Sequence, residues 1–186
     1  MAAGAFTASR LPRFEVRARA LFMVACILAA TGVVIHGQAL FDLIHPQRNF
    51  DLSIGNAVAK IGLELDIIGL FSAIEPTLRC ISGGLIFLAA LTALLIGPSG
   101  EASPDVVLAW QVRAHIVVAL LSYGLLTVGT IVAVFALAQE RRLRAAKLSP
   151  VNQLFAPLVT MERLLFGVAA AGFIGLTLTI VSGSSF

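Results

Sequence analysis

Long apolar stretches separated by short polar islands set the terms for this chain. The first runs from Ala18 to Phe41 and contains ALFMVACILAATGVVIHGQALF; others occupy Leu78 to Ile96, about Val112 to Ala138, and about Leu164 to Val181. At 1.5 Å per residue each is long enough to cross a hydrocarbon core of about 30 Å, the third near the short limit. Hydrophobic residues make up 59% of the 186 positions and charged residues 12%. That leaves too few polar side chains to cover a water-soluble globule, so a single soluble domain is excluded. The expected fold is all-α, a polytopic transmembrane helical bundle.

The segment from about Ser53 to Ile74 is less clear, because Lys60, Glu64 and Asp66 interrupt it and each is costly facing lipid. Charge placement resolves it. Arg10, Arg13, Arg17 and Arg19 precede the first run, and Arg141, Arg142, Arg144 and Lys147 follow the fourth. If both basic islands are cytoplasmic, an odd number of crossings separates the outer end of the first helix from the inner end of the fourth. Only a spanning second segment supplies it. The expectation is therefore five spans, at about 18–41, 53–74, 78–97, 112–138 and 164–182, forming one transmembrane domain over 18–186. Residues 1–17 form a cytoplasmic N-terminal segment and 139–163 a basic cytoplasmic loop, with the C-terminus periplasmic. The outer loops, carrying Asp42, Arg48 and Asp51 and then Glu101 and Asp105, are slightly acidic. Pro98, Gly100 and Pro104 close the third helix, and Pro150 and Pro157 punctuate the polar stretch before the fifth. The first run continues through a histidine with no small-residue cleavage site, and reads as a retained helix rather than a signal peptide.

Membrane lipids are the expected surroundings. The net charge of +3 forms no long positive stripe on any helix, so nucleic acid is not an expected partner. Cys26 and Cys80 are read as small packing residues, since no CxxC pair or disulfide framework is present. Lys60 and Glu64 stand four residues apart and share a helix face, where an ion pair within the bundle is the expectation; Asp66 lies on another part of that helix. Gly167, Ala171 and Gly175, spaced by four on the fifth span, predict a close-packing face. Trp110 marks an outer helix boundary.

Two histidines attract attention. His36 lies near the outer end of the first span and His115 a few residues inside the outer end of the fourth, so a topology derived from lengths and arginines alone puts both at similar depth on one side. Two neutral imidazoles on facing helices can supply both axial nitrogens to a haem iron, and apolar spans can bury the macrocycle. The competing reading makes each a structural hydrogen-bonding group. His45 belongs to an outer loop and is expected to be solvated. No HExxH motif, glycine-rich phosphate loop, CxxCH attachment site or nucleophilic triad is found, so an enzyme is not expected.

The stretch AHIVVALLSYGLLTVGTIVAVFALAQERRL followed by LFAPLVTMERLLFGVAAAGFIGLTLTIVSG resembles the integral membrane cytochrome c assembly superfamily, especially its small YpjD-like or HemX-like members. The resemblance covers residues 113 to 183 and includes His115, Ser122, Tyr123, Glu140, Met161, Glu162 and the LTLT segment at 176–179; a weaker similarity runs back through FDLSIGNAVAKIGLEL and the His36 region. It implies a bacterial inner-membrane helical bundle concerned with haem handling or cytochrome c biogenesis. Related small members continue past the counterpart of 182–183 with further spans, so the resemblance also implies a chain truncated at its C-terminus or completed by a partner membrane protein that supplies additional helices.

The functional expectation is noncovalent binding of haem b, with His36 and His115 as cofactor-binding and metal-ligating residues. The alternative is a cofactor-free accessory or scaffold subunit of a respiratory, photosynthetic or assembly complex.

Overall fold

A computed structural model of the chain describes residues 1–9, 11, 16–44, 54–96, 109–145 and 156–184. They form six α-helices: α1 (Ala2–Ala8), α2 (Ala18–Ile44), α3 (Ile54–Ser72), α4 (Arg79–Ala93), α5 (Trp110–Arg144) and α6 (Leu158–Gly183). A short 3-10 turn, Pro76–Leu78, joins α3 to α4; the Glu75 side chain accepts from the Thr77 backbone N–H, and Pro76, which has no N–H to leave unpaired, opens it. The expectations for His45, Arg48, Asp51, Glu101, Asp105, Lys147 and the prolines at 98, 104 and 150 lie outside the described residues.

The fold is an all-α, polytopic membrane bundle. Among the described residues four helical stretches are long and apolar enough to cross a bilayer: Ala18–Phe41, Pro76–Ala93, Trp110–Arg144 and Leu158–Gly183. Large apolar side chains such as Ile27, Ile35, Phe166, Phe173 and Ile180 point outward. In water such a surface would aggregate, whereas in lipid it is the solvated face. α5 reaches about 52 Å at 1.5 Å per residue, longer than a hydrocarbon core, so its Arg-rich end belongs to a polar zone. There Arg144 donates to Glu140 at 2.6 and 3.0 Å in an exposed pair one turn apart. The helical ends extend past the expected ones, since residues 139–144 continue α5 and 158–163 begin α6.

The charge-interrupted helix α3 lies inside the bundle. α3 packs against α2, α4 and α5, and its polar positions turn inward: Asn56 and Asp66 are buried. Its contact with α4 rests on glycines repeating every seven residues. A Cβ at Gly55 would strike the Leu95 carbonyl, one at Gly62 the Thr92 side chain, and one at Gly69 Ile86. Seven residues are about two helical turns, so these three positions stack into one groove that receives α4. Ser82 of α4 then donates to the Gly69 carbonyl at 2.7 Å.

A second pair, α5 with α6, closes over a similar seam. Met161, Leu165, Val168, Gly172, Gly175 and Thr179 follow a 4-3-4-3-4 spacing, the signature of a helix pair that stays in contact along its length. Gly172 accepts Leu126, Gly175 accepts Ser122, and Gly129 of α5 lies opposite Leu165 and Val168. The expected stripe is therefore divided. Gly175 belongs to this internal seam, while Ala171 is exposed and Gly167 borders open space.

The helix α1 was not anticipated. Phe6 is fully buried and meets Phe22 of α2 at a centroid distance of 6.0 Å, and α1 packs on both α2 and α4. Arg79 stacks over the other contact of this region, 3.9 Å from the Phe22 ring centroid, and donates to the Ala73 carbonyl. The small helix thus sits as a wedge between α2 and α4, which touch each other little.

Candidate functional site

Because α1 holds α2 and α4 apart, a slot of about 460 Å³ remains between them. Its walls are Gly32 and Ile35 of α2 and Phe87 and Ala90 of α4, α1 borders one end, and Asp66 of α3 forms part of the floor. The volume falls within the range of about 300–1,000 Å³ usual for small-molecule sites. The lining is predominantly apolar, and its titratable side chains among the described residues are His36 and Asp66.

These two are joined. His36 Nδ1 lies 2.9 Å from Asp66 Oδ2, and both residues are buried, at 5% and 7% exposure. A carboxylate can only accept, so Nδ1 carries the proton and donates it, leaving the lone pair on Nε2. Nε2 is itself buried and has no hydrogen-bond partner among the described residues. A carboxylate that fixes the tautomer and raises imidazole basicity is the support that metal-bound histidines ordinarily have. Asp66 thus has a partner on α2, which its position on α3 away from the Lys60–Glu64 face does not by itself reveal. The signal was present, because Asp66 stands four residues after Gly62 and three before Gly69, on the same inward face.

His115 is held differently. Its Nδ1 lies 2.9 Å from Ser182 Oγ, and that hydroxyl gives its single proton to the Thr179 carbonyl at 3.0 Å. Ser182 Oγ must then accept from His115 Nδ1–H, so here too the lone pair is on Nε2. The ring lies against Gly183, where a Cβ would come within 3.0 Å of Cε1. His115 is thus a residue of the α5–α6 seam, and no residue of α5 or α6 lines the slot beside His36.

The donor set limits the kind of metal chemistry. Among the described residues no group of three or more His, Cys, Asp or Glu side chains is placed to hold a metal ion. A site offering one or two imidazoles fits a metal that brings most of its own ligands, as iron in a porphyrin does. The slot lies beside His36, whose Nε2 is buried and has no hydrogen-bond partner among the described residues.

The family model for Cytochrome C assembly protein matches residues 20–186, nearly the whole chain. The chain belongs to this family. The match begins at the start of α2 and includes both histidines, Asp66 and the two glycine seams. No curated protein and no solved structure matches the chain.

Proposed function

We propose that this family member retains b-type haem noncovalently in the slot between α2 and α4, with His36 Nε2 on the iron and Asp66 orienting the ring. The carrying observation is the buried, unpartnered Nε2 of a carboxylate-buttressed histidine in an apolar slot. Bound there, haem supplies a redox-active iron; the side chains bind and orient it and keep water away. His115 would be the second residue to hold the iron. For both rings to share one iron, the α5–α6 pair has to shift toward α2, since His115 now lies in a separate seam. The role is haem handling during cytochrome c biogenesis, with no covalent chemistry assigned to the protein.

The membrane arrangement proposed is five spans in a bacterial inner membrane, with the start of α2 at the cytoplasmic face and the C-terminus periplasmic, while α1 folds back along α2 into the bundle. Support for the fifth comes from the short α3–α4 turn: two helices joined by six residues and packed along their length run antiparallel, so α3 crosses with α4. Its polar groups face protein rather than lipid, which removes the objection that its composition raised.

The test is an oxidised and reduced absorption spectrum of the full chain purified in mild detergent from a haem-replete host, with haem stoichiometry and separate His36→Ala and His115→Ala variants. A near-stoichiometric low-spin b-type spectrum that either variant abolishes or converts to high spin supports both ligands. Loss only in His36→Ala retains the slot and removes His115 from the iron. Absence of haem from well-folded wild type overturns the proposal and favours a cofactor-free accessory subunit.

A further inference from the structure

Glu64 is set apart from the haem slot by helix geometry. It precedes Asp66 by two residues, about 200° around α3, so the two carboxyl groups leave the helix on opposite sides. Ten residues separate it from Ile54 and eight from Ser72, which puts it about 12–15 Å from either end of the helix. Its carboxyl is half-buried against α5, seated in the notch at Gly124: a Cβ there would overlap the carboxyl carbon and one of its oxygens. Below it Leu65 packs into a core with Val128 and Val132, so the notch is the polar end of an otherwise apolar contact.

Among the described residues no hydrogen bond or ion pair to Glu64 is found, and the ion pair expected with Lys60 is not among the contacts of this carboxyl. The neighbouring elements offer little else that is charged. On α3, Lys60 lies one turn away and has contacts of its own, while Asp66 faces His36. Within a turn of Gly124, α5 has Tyr123 as its titratable residue; α2 contributes His36 on the far side, and α4 has Arg79 and Cys80 at the end away from this level.

We propose that Glu64 is an intramembrane proton-binding site, a carboxylic acid seated between α3 and α5 that holds and exchanges its proton within the bilayer. Among the described residues nothing pairs with or donates to this carboxyl to replace its hydration, and taking up a proton removes the cost of a bare carboxylate at this depth. The glycine at 124 provides the room: any side chain there would turn the carboxyl out of the helix contact. This site is independent of haem and of the two histidines.

The test is reaction of the full chain in lipid vesicles with dicyclohexylcarbodiimide. A protonated carboxyl adds across one C=N bond of this reagent, its proton going to nitrogen, and the O-acylisourea rearranges to a stable N-acylurea with nothing lost. The expected result is an adduct mapped to Glu64 at neutral pH, fading as pH is raised, absent in Glu64→Gln, and formed far more slowly by a water-soluble carbodiimide. Gly124→Ala fills the notch, turns the carboxyl toward lipid and raises labelling several-fold. No adduct at Glu64 in folded wild type, labelling indifferent to pH, equal reaction with the water-soluble reagent, or labelling unchanged in Gly124→Ala would each overturn the proposal.

Discussion

His36 and His115 are the same residue type in two different settings. One is clamped by a carboxylate beside an apolar slot, its other nitrogen buried and without a hydrogen-bond partner among the described residues; the other donates to a hydroxyl within a tight helix seam. The difference lies in what surrounds each ring. Around His36 the wedge of α1 keeps two helices apart, whereas around His115 the glycines and serines of α6 draw two helices together. A histidine becomes a candidate ligand through the space beside it and the group behind it, and depth in the membrane supplies neither.

Substituting the rings themselves gives the largest expected contrast. His36→Ala should lower haem affinity at least tenfold, about 1.4 kcal/mol, with stoichiometry and the reduced spectrum as the readout. His115→Ala should change spin state if the ring reaches the same iron, and leave the spectrum untouched if it does not.

Next come the groups behind the rings. Asp66→Asn keeps the shape but weakens the orientation and basicity of His36, and should reduce haem affinity by about 10- to 100-fold. Ser182→Ala should cost only about 0.6 kcal/mol of stability, the average for a side-chain hydrogen bond within a membrane bundle, with haem content unchanged. Equal loss of haem in the two variants, measured by titration of apoprotein, would erase the distinction between the sites.

The glycines give the smallest effects on haem binding, and act on stability instead. A Cβ at Gly62 would overlap the Thr92 side chain and lie 3.2 Å from His36 Cε1, so Gly62→Ala should destabilise by about 1–3 kcal/mol and broaden the haem spectrum. Gly183→Ala presses on His115 alone, and the better helix propensity of alanine, worth up to about 1 kcal/mol, offsets part of that strain. Thermal unfolding in detergent separates the two.

The apolar runs made the four helical stretches long enough to cross a membrane legible, because length and hydropathy are local properties of the chain. The second segment was harder, since its hydropathy is diluted by residues whose destination is the interior. Composition records Asp66 as a cost; only packing shows that it faces His36. The Gly55, Gly62 and Gly69 repeat carried that information in principle, as a seven-residue period marks the face that meets a neighbour. Of the α6 stripe, Gly175 lies in the seam with α5, whose inward positions follow Gly172 and Gly175 in a 4-3 rhythm, while Gly167 and Ala171 face away from α5. The wedge α1 gave no signal at all, being too short for periodicity and composed largely of alanine.

Several residues along the slot, among them Leu28, Ile35 and Phe87, are also exposed on the outer surface of their helices. The cleft therefore communicates sideways with the surrounding acyl chains. A ligand that arrives by this side has already partitioned out of water, and the quantity that governs occupancy is its density in the two-dimensional lipid phase. Diluting the protein in buffer leaves that density unchanged, whereas adding empty lipid lowers it, so apparent affinity becomes a property of the membrane as much as of the polypeptide.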